Sequence, residues 1–207
     1  SGSNGQFFNL TALNTSASLV EQNAATTVTR NFRVQDGRYD CNGFALNVGG
    51  DFRNDDEFIH GNNTVAFITG TSPAYFIKSA TGVGNFHSVT MNKAGIVDMT
   101  DAANVSDMIL SPTGILNLNN GWIVTGARNV FTDNPNTNAV INGSVNSFVS
   151  GNLRRDINAS GSYFFPIGYA PNTSSYRLAN TIFASAGDYT QLTAFYTPAL
   201  DAAITAA

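Results

Sequence analysis

Two adjacent carboxylates, Asp55 and Asp56, precede His60, and Lys78 follows further along the chain. Paired carboxylates with a nearby histidine and lysine are the groups with which polysaccharide-degrading β-helix enzymes carry out general acid–base catalysis. Neighbouring residues on a strand point to opposite faces, so Asp55 and Asp56 would converge only at a bend. No further Asp stands in an Asn-Thr-Asp signature at a stacked position. We therefore predict no catalytic residues, and a polysaccharide-degrading enzyme remains an alternative.

Two oxygen-rich segments are candidates for a metal site. Residues 51–57 form the densest acidic run, and residues 133–138 are rich in Asp and Asn. Carboxylate and amide oxygens are typical ligands of Ca²⁺. Neither segment has the spacing of an EF-hand loop, and the calcium-binding nonapeptide repeat is absent. We predict a solvated loop and an ordinary turn, and hence no metal site, with calcium binding by residues 51–57 left open.

The remaining reactive side chains are few. His60 and His87 are the only histidines, and neither has a His or Cys partner at ligand spacing, so a structural or surface role is favoured. Cys41 is the only cysteine and occupies a predicted inward position, where it would act as a small hydrophobic residue. Gly82 and Gly84 form only part of a phosphate-binding glycine motif. We predict no cofactor and no cofactor-binding residues.

Tyrosine is concentrated near the C-terminal end of the sequence, where five of the seven tyrosines lie beyond residue 160. Aromatic rings stack on sugar faces and bury a large area at a low entropic cost. The alternative is that most of these rings pack in a hydrophobic core. The five are Tyr163, Tyr169, Tyr176, Tyr189 and Tyr196.

Composition and charge exclude several classes of protein. Charged residues make up 12% of the chain, about half the usual share in soluble domains, and Asn, Thr, Ser and Gly supply the polarity instead. The net charge of −4 and the lack of a basic stripe argue against nucleic acid as a partner. No run approaches the ~18 apolar residues of a membrane span, so we predict no membrane insertion. The chain lacks a signal peptide and begins with Ser, and we expect it to be part of a larger protein.

Short apolar alternations bounded by Gly, Asn and Asp recur along the chain and predict an all-β fold. Only residues 16–29 and 198–207 would be considered for a helix. Internal similarity favours a solenoid over a sandwich. Gly37–Gly49 resembles Gly114–Gly126, and in both segments Asn-Gly would form a corner, because Asn tolerates positive φ and Gly adopts it freely.

This similarity predicts which side chains point inward. Two weaker similarities, including residues 64–70 with 138–143, share an offset of about 77 positions, which we interpret as a repeat of roughly three coils of ~20–30 residues. The predicted inward side chains are Tyr39, Cys41, Phe44 and Leu46 in the first segment, and Leu116, Leu118, Trp122 and Val124 in the second.

We therefore predict a right-handed parallel β-helix over residues 1–150, followed by a compact β module over residues 151–207. In the second part the predicted strands are longer, as at Gly161–Ile167. A solenoid end is an open sheet edge that needs covering, so the module would cap the solenoid.

The C-terminal part carries a resemblance. Gly151-Asn-Leu-Arg-Arg155, Gly161-Ser-Tyr-Phe-Phe-Pro-Ile-Gly168 and Ser175-Tyr-Arg-Leu178 resemble a segment of large repetitive surface proteins that Bacteroidetes export by type IX secretion. In that family the pattern is roughly G-x-Y-x-F-P-V-G followed by Y-R-P, and Leu178 stands where Pro is frequent. Gly114–Gly121 is similar to the β-helical turns of the same proteins. The resemblance implies an extracellular, cell-surface location and roles in adhesion, gliding or matrix building.

We accordingly predict a non-catalytic structural or adhesive segment of an extracellular bacterial surface protein. Surface glycans or other copies of the chain are the partners this implies. Besides a polysaccharide-degrading enzyme, a subunit of a self-assembling filament is an alternative. A flat ice-binding face is a weaker one, because it needs a regular Thr-x-Thr row and Thr27-Val-Thr29 is the only good instance before the C-terminal module.

Overall fold

The structure is a computed structural model that describes residues 5–15, 18–184 and 190–197. Buried and exposed residues alternate along most of its strands, because successive side chains of a strand point to opposite faces. One short 3-10 helix, η1 (Thr137–Ala139), lies within the described ranges. The strands are β1 (Gly5–Phe7), β2 (Leu10–Leu13), β3 (Leu19–Glu21), β4 (Thr26–Val28), β5 (Phe32–Asp36), β6 (Arg38–Asp40), β7 (Leu46–Val48), β8 (Phe52–Asn54), β9 (Glu57–Ile59), β10 (Thr64–Ile68), β11 (Ala74–Lys78), β12 (Ser88–Asp98), β13 (Met108–Leu110), β14 (Leu116–Thr132), β15 (Val140–Ile141), β16 (Val149–Asp156), β17 (Gly161–Tyr169), β18 (Asn172–Phe183) and β19 (Gln191–Ala194).

The strands stack in three rows, which we call face 1, face 2 and face 3. Face 1 contains β1, β4, β7, β10, the first part of β12, the first part of β14 and β15. Face 2 contains β2, β5, β8, β11, the second part of β12, the middle of β14 and the start of β16. Face 3 contains β3, β6, β9, β13 and the ends of β14 and β16, with single bridges at Val83 and Phe86 between β9 and β13.

Each of these pairings is parallel and joins one coil to the next. A coil takes 19 residues from Leu46 to Val65 and 27 residues from Val89 to Leu116. The chain is therefore a parallel β-solenoid of about seven turns with further strands at its C-terminal end. This confirms the predicted all-β fold, a parallel β-helix followed by additional β structure. None of the described residues forms a helix long and apolar enough to span a bilayer.

The inward side chains of the three faces form one hydrophobic core. On face 1 the column consists of Val28, Val48, Phe67, Met91 and Leu118, all fully buried. Burying each such side chain contributes about 1.5–3 kcal/mol relative to leaving it in water. Faces 2 and 3 supply aromatic rings that pack against one another in the same core; these include Phe32, Phe52, Phe76, Tyr39, Phe58 and Phe86.

The prediction of inward side chains was correct for five of the eight residues and wrong for the other three. Tyr39, Cys41, Leu46, Leu116 and Leu118 are buried. Phe44, by contrast, follows a turn and is 38% exposed, while Trp122 and Val124 are only half-buried. Met91 pairs with Leu118 but Asn92 pairs with Asn120, so one extra residue shifts the alternation and turns Ile123 inward.

The similar segments do not occupy equivalent places. Gly37–Gly49 runs from face 3 to face 1, whereas Gly114–Gly126 runs from face 1 to face 2, so the offset of 77 joins different faces. Residues 64–70 and 138–143, in contrast, both lie on face 1, three coils apart. Residues 16–29 hold β3 and β4 rather than a helix, and residues 198–207 lie outside the described ranges.

Parallel stacking continues past residue 150, because β16 crosses this position and pairs with β14. The arrangement then changes. β17 stacks on face 2 only through Ile167 and Gly168, β18 pairs with it in the antiparallel sense, and β19 pairs antiparallel with β16. These strands cover faces 2 and 3 of the last coil. The division into residues 1–150 and 151–207 stays a prediction.

The Asn-Gly corners predicted in the two similar segments are confirmed only at Asn42, since Asn120 lies within β14 and only Gly121 has positive φ there. Asn42 and Asn142 both have positive φ, and each is followed by Gly. In the next coil the corner order is reversed, with Gly61 at φ +56 and Asn62 at φ 61. A Cβ on Gly61 would lie 2.6 Å from the backbone nitrogen of Gly43 in the preceding coil, so this corner depends on the missing side chain.

We expect Gly61→Ala to lower the free energy of unfolding by roughly 1–3 kcal/mol, because it combines a left-handed backbone with a clash against Gly43. Urea denaturation followed by circular dichroism measures the change. Asn62→Gly is the matched control: the same backbone region suits glycine, and we expect a change within about 0.5 kcal/mol. Equal losses in both variants would contradict this account of the corner.

Candidate functional site

The acidic run at residues 51–57 lies around the corner between β8 and β9, and each of its carboxylates accepts a hydrogen bond from the protein. Asp51 accepts from the backbone nitrogen of Tyr75, and Asp56 accepts from that of Gly37. Glu57 pairs with Arg38 at 2.7 Å on the surface. The run is thus a set of separate contacts between coils.

Asp55 is the most strongly held member of the run. Its Oδ2 lies 2.7 Å from Nε of Arg33 and 2.8 Å from Nε of Arg53, two residues that stack on face 2 of successive coils. Burial alone would raise the pKa of the Asp55 carboxyl, but the hydrogen bonds and charges of Arg53 and Arg33 outweigh it and hold the pKa below its ordinary value. Asp55 therefore forms ion pairs that join two successive coils.

Asp55, Asp56 and Lys78, three of the four residues considered for acid–base catalysis, each make polar contacts with other parts of the protein. The two carboxylates take different partners, the arginines for Asp55 and the backbone of Gly37 for Asp56. The Lys78 ammonium donates to the carbonyl of Gly84 at 2.6 Å, and burial lowers the pKa of Lys78.

The two histidines, which are far apart in sequence, come together on successive coils. The ring centroids of His60 and His87 lie 5.8 Å apart. Burial first, and then the neighbouring His87, lower the pKa of His60. Nδ1 of His60 accepts from the backbone of Asn62, and His87 is hydrogen-bonded to the Thr113 and Ser88 hydroxyls. Among the residues that the structure describes, no group of three or more His, Cys, Asp or Glu side chains is placed to hold a metal ion.

Cys41 and residues 133–138 take the structural places that the sequence favoured. The Cys41 thiol is fully buried, and burial followed by the charge of Asp40 raises its pKa. Asn134 is buried and donates to the carbonyl of Gly114 at 2.7 Å, which fixes the turn on the preceding coil.

The tyrosines divide between core and surface. Tyr163 is fully buried, with its hydroxyl bonded to the carbonyls of Pro135 and Ala159. Tyr176 and Tyr196 are half-buried, and Tyr169 is 55% exposed. Tyr189 lies outside the described residues. The tyrosines therefore do not form a continuous exposed aromatic surface within the described ranges.

Two buried cations were missed by the sequence analysis. Lys93 is fully buried and donates to the carbonyls of Gly49 and Thr71, and burial lowers its pKa. Arg155 is fully buried as well. It donates to the carbonyls of Phe164, Asn136 and Thr137, and burial lowers its pKa to about 10, so it is charged at neutral pH.

A pair of carboxylates was also missed. Asp156 lies beside Asp133 of the preceding coil, since the residues just before them, Arg155 and Thr132, are paired in register. Burial, and then the hydrogen bond and negative charge of Asp133, raise the pKa of Asp156. Asp133 and Asp156 are 23 positions apart in sequence, which is the length of one coil. This proximity becomes apparent only once the strand register is known.

A cleft of about 680 Å³ lies between the last strand of face 1 and the C-terminal hairpin. We call it the terminal cleft. One wall is η1, β15 and the corner that follows, and the other wall is β17 with Leu178 of β18. Arg155 ties the two walls together, because its guanidinium bonds to Thr137 on one side and Phe164 on the other.

Comparisons of the chain with protein-family models, with curated proteins and with solved structures give no match.

We expect Asp55→Asn to destabilise the protein by roughly 1–2 kcal/mol at neutral pH, because both arginines lose their carboxylate. Since the folded-state pKa of Asp55 is lowered, its contribution is complete above the ordinary carboxyl pKa of 3.8 and is lost as the pH falls through the folded value. Urea unfolding of both proteins across this pH range measures the difference, which should shrink in acid.

Asp156→Asn is a control with the opposite sign. The folded-state pKa of Asp156 is raised, so its favourable contribution is complete below the ordinary carboxyl pKa and is lost as the pH rises through the folded value. We expect this variant to be at least as stable as the wild type at neutral pH. A loss of stability at neutral pH as large as that of Asp55→Asn would refute these roles.

Proposed function

We propose that the chain is a non-catalytic structural and adhesive segment of an extracellular bacterial surface protein. The observation that carries the proposal is the unbroken stack of about seven coils around one core. In such a stack every coil is hydrogen-bonded to its neighbours and shares their core, so the whole resists bending. A rod of this kind holds binding surfaces away from the cell.

The outward side of face 1 suits contact with a neutral surface. From β4 to β14 its central row consists of short uncharged side chains, one per coil: Thr27, Asn47, Ala66, Thr90 and Asn117. Polar side chains of neighbouring coils bond to each other, as Asn47 does to Thr27 at 3.1 Å and Asn142 to Asn117 at 2.9 Å. A regular row of weak sites adds by avidity when a partner is itself repetitive.

The surface location rests on the resemblance to type IX-exported proteins. The Phe-Pro-Ile-Gly block that carries the resemblance lies in β17, where Phe165, Pro166, Ile167 and Gly168 are all buried. The motif therefore has a structural role in this chain, because its buried residues pack β17 against the end of the solenoid. A structural motif is consistent with a segment whose role is display.

A second candidate, a subunit of a self-assembling filament, is favoured by the first coil. In the described residues β1, β2 and β3 each have one neighbouring strand, which leaves their other edge available to a further strand. Phe7, Phe8, Leu13 and Leu19 beside this edge are between 42% and 62% exposed. An open strand edge with exposed apolar side chains is a surface on which a second copy would stack.

The test is to incubate the purified chain with a panel of insoluble and soluble polysaccharides, recording both retention on the glycan and release of new reducing or unsaturated ends. We expect retention without release, because Asp55 and Asp56 form separate contacts within and between coils rather than an acid–base pair facing a groove. Sedimentation of the same sample across a concentration series reports self-association.

Release of sugar ends that disappears in Asp55→Asn or Asp56→Asn would contradict the proposal and make the chain a glycan-degrading enzyme. Concentration-dependent polymers without retention on any glycan would replace adhesion by filament assembly.

A further inference from the structure

We propose that the terminal cleft binds a short neutral oligosaccharide, which rests on the proposed adhesive function and gives it a specific site. The cleft exists because β17 follows the last coil without pairing with it on face 1. Gly161 packs on Thr137 and Gly143 packs on Pro166, where an added Cβ would come within 2.6 and 2.3 Å of them. The walls thus touch at both ends and stand apart between these contacts.

The cleft is held open by buried contacts. The Arg155 guanidinium, fully buried, bonds to the carbonyls of Asn136 and Thr137 on one wall and of Phe164 on the other. At the opposite end the Tyr176 hydroxyl donates to the carbonyl of Gly143 at 3.2 Å. Because these braces are hydrogen bonds within the protein, the cleft needs little reorganisation on binding.

One wall offers an aromatic and aliphatic surface. Phe164 is 41% exposed and Leu178 is 51% exposed, and both line the cleft opposite Ile141. A ring with one open face stacks on the C–H face of a sugar, which buries apolar area while the hydroxyls remain directed outward. The volume of about 680 Å³ lies within the range of small-ligand sites.

The rim supplies neutral hydrogen-bonding groups. Asn138, Ser160 and Ser162 line the cleft, and the side chains of these three make no hydrogen bond within the described part of the chain. An amide both donates and accepts, as does a hydroxyl, and sugar hydroxyls need both. None of the lining residues carries a charge, and the guanidinium of Arg155 is buried and bonded to carbonyls of both walls, so an acidic sugar would find no accessible cation to compensate its desolvation.

The same geometry disfavours an extended peptide as the occupant. Among the residues that the structure describes, β15 pairs with β14 alone, so its other edge faces the cleft. A peptide strand added to that edge would have to run through both ends of the cleft, where Pro166 meets Gly143 and Thr137 meets Gly161. A compact ligand that fits between the two contacts meets no such obstacle.

The experiment is calorimetric titration of the purified chain with maltotriose, cellotriose, xylotriose and mannotriose, with trigalacturonate as the acidic counterpart. We expect at least one neutral sugar to bind, and trigalacturonate to bind about tenfold more weakly or not at all. Phe164→Ala should weaken the binding about tenfold by removing the stacking ring. Ser160→Trp, at an exposed rim position, should weaken it by filling the cleft.

Tyr169→Ala is the matched control, because Tyr169 is an exposed aromatic residue on the same strand but does not line the cleft. Its affinity should equal that of the wild type. The proposal is overturned if no neutral trisaccharide binds or if an extended peptide displaces the sugar. It is also overturned if both cleft variants, Phe164→Ala and Ser160→Trp, bind the sugar as the wild type does. Retention on an insoluble glycan that is unchanged in both variants would overturn the cleft while leaving the adhesive function intact.

Discussion

The constraint on which the structure depends is that one coil cannot bury its own inward side chains. A coil of 19 to 27 residues contributes one or two side chains per face to the core, and these are covered only by the coils on either side. The parallel pairing of strands between coils also satisfies the hydrogen-bonding groups of the backbone. The charged contacts obey the same rule, since Asp55 joins arginines of two coils and Lys93 reaches back to carbonyls of two earlier ones.

The ends of the stack are where function becomes specific. Faces 2 and 3 of the last coil are covered by β17 and β19, while in the described part of the chain face 1 ends at β15 beside the terminal cleft. The buried Phe-Pro-Ile-Gly block and the buried Arg155 together fix that cleft. The repetitive middle of the solenoid supplies length and a uniform outer row, and the irregular end supplies a distinctive pocket.

The sequence predicts the class of fold well because alternation and Asn-Gly corners are local signals. It predicts the burial of Tyr39, Cys41 and Leu116 for the same reason. It fails where the coil length matters: one extra residue before Asn120 turns Ile123 inward in place of Trp122.

The site was less predictable than the fold. Asp133 with Asp156 and His60 with His87 become neighbours only through a register that varies from coil to coil. The terminal cleft arises because β17 does not pair with the last coil on face 1. The absence of a strand pairing is not marked by any sequence motif.

The register itself is the central claim, and a disulfide test measures it directly. Ala66 and Thr90 are paired outward positions of adjacent coils on face 1, whereas Asn117 lies one coil further, about 10 Å from Ala66. With Ala66→Cys and Thr90→Cys combined, mild oxidation should form a disulfide in the folded protein. With Ala66→Cys and Asn117→Cys combined, it should form none. A disulfide in the second variant but not in the first would contradict the stacking described for this chain.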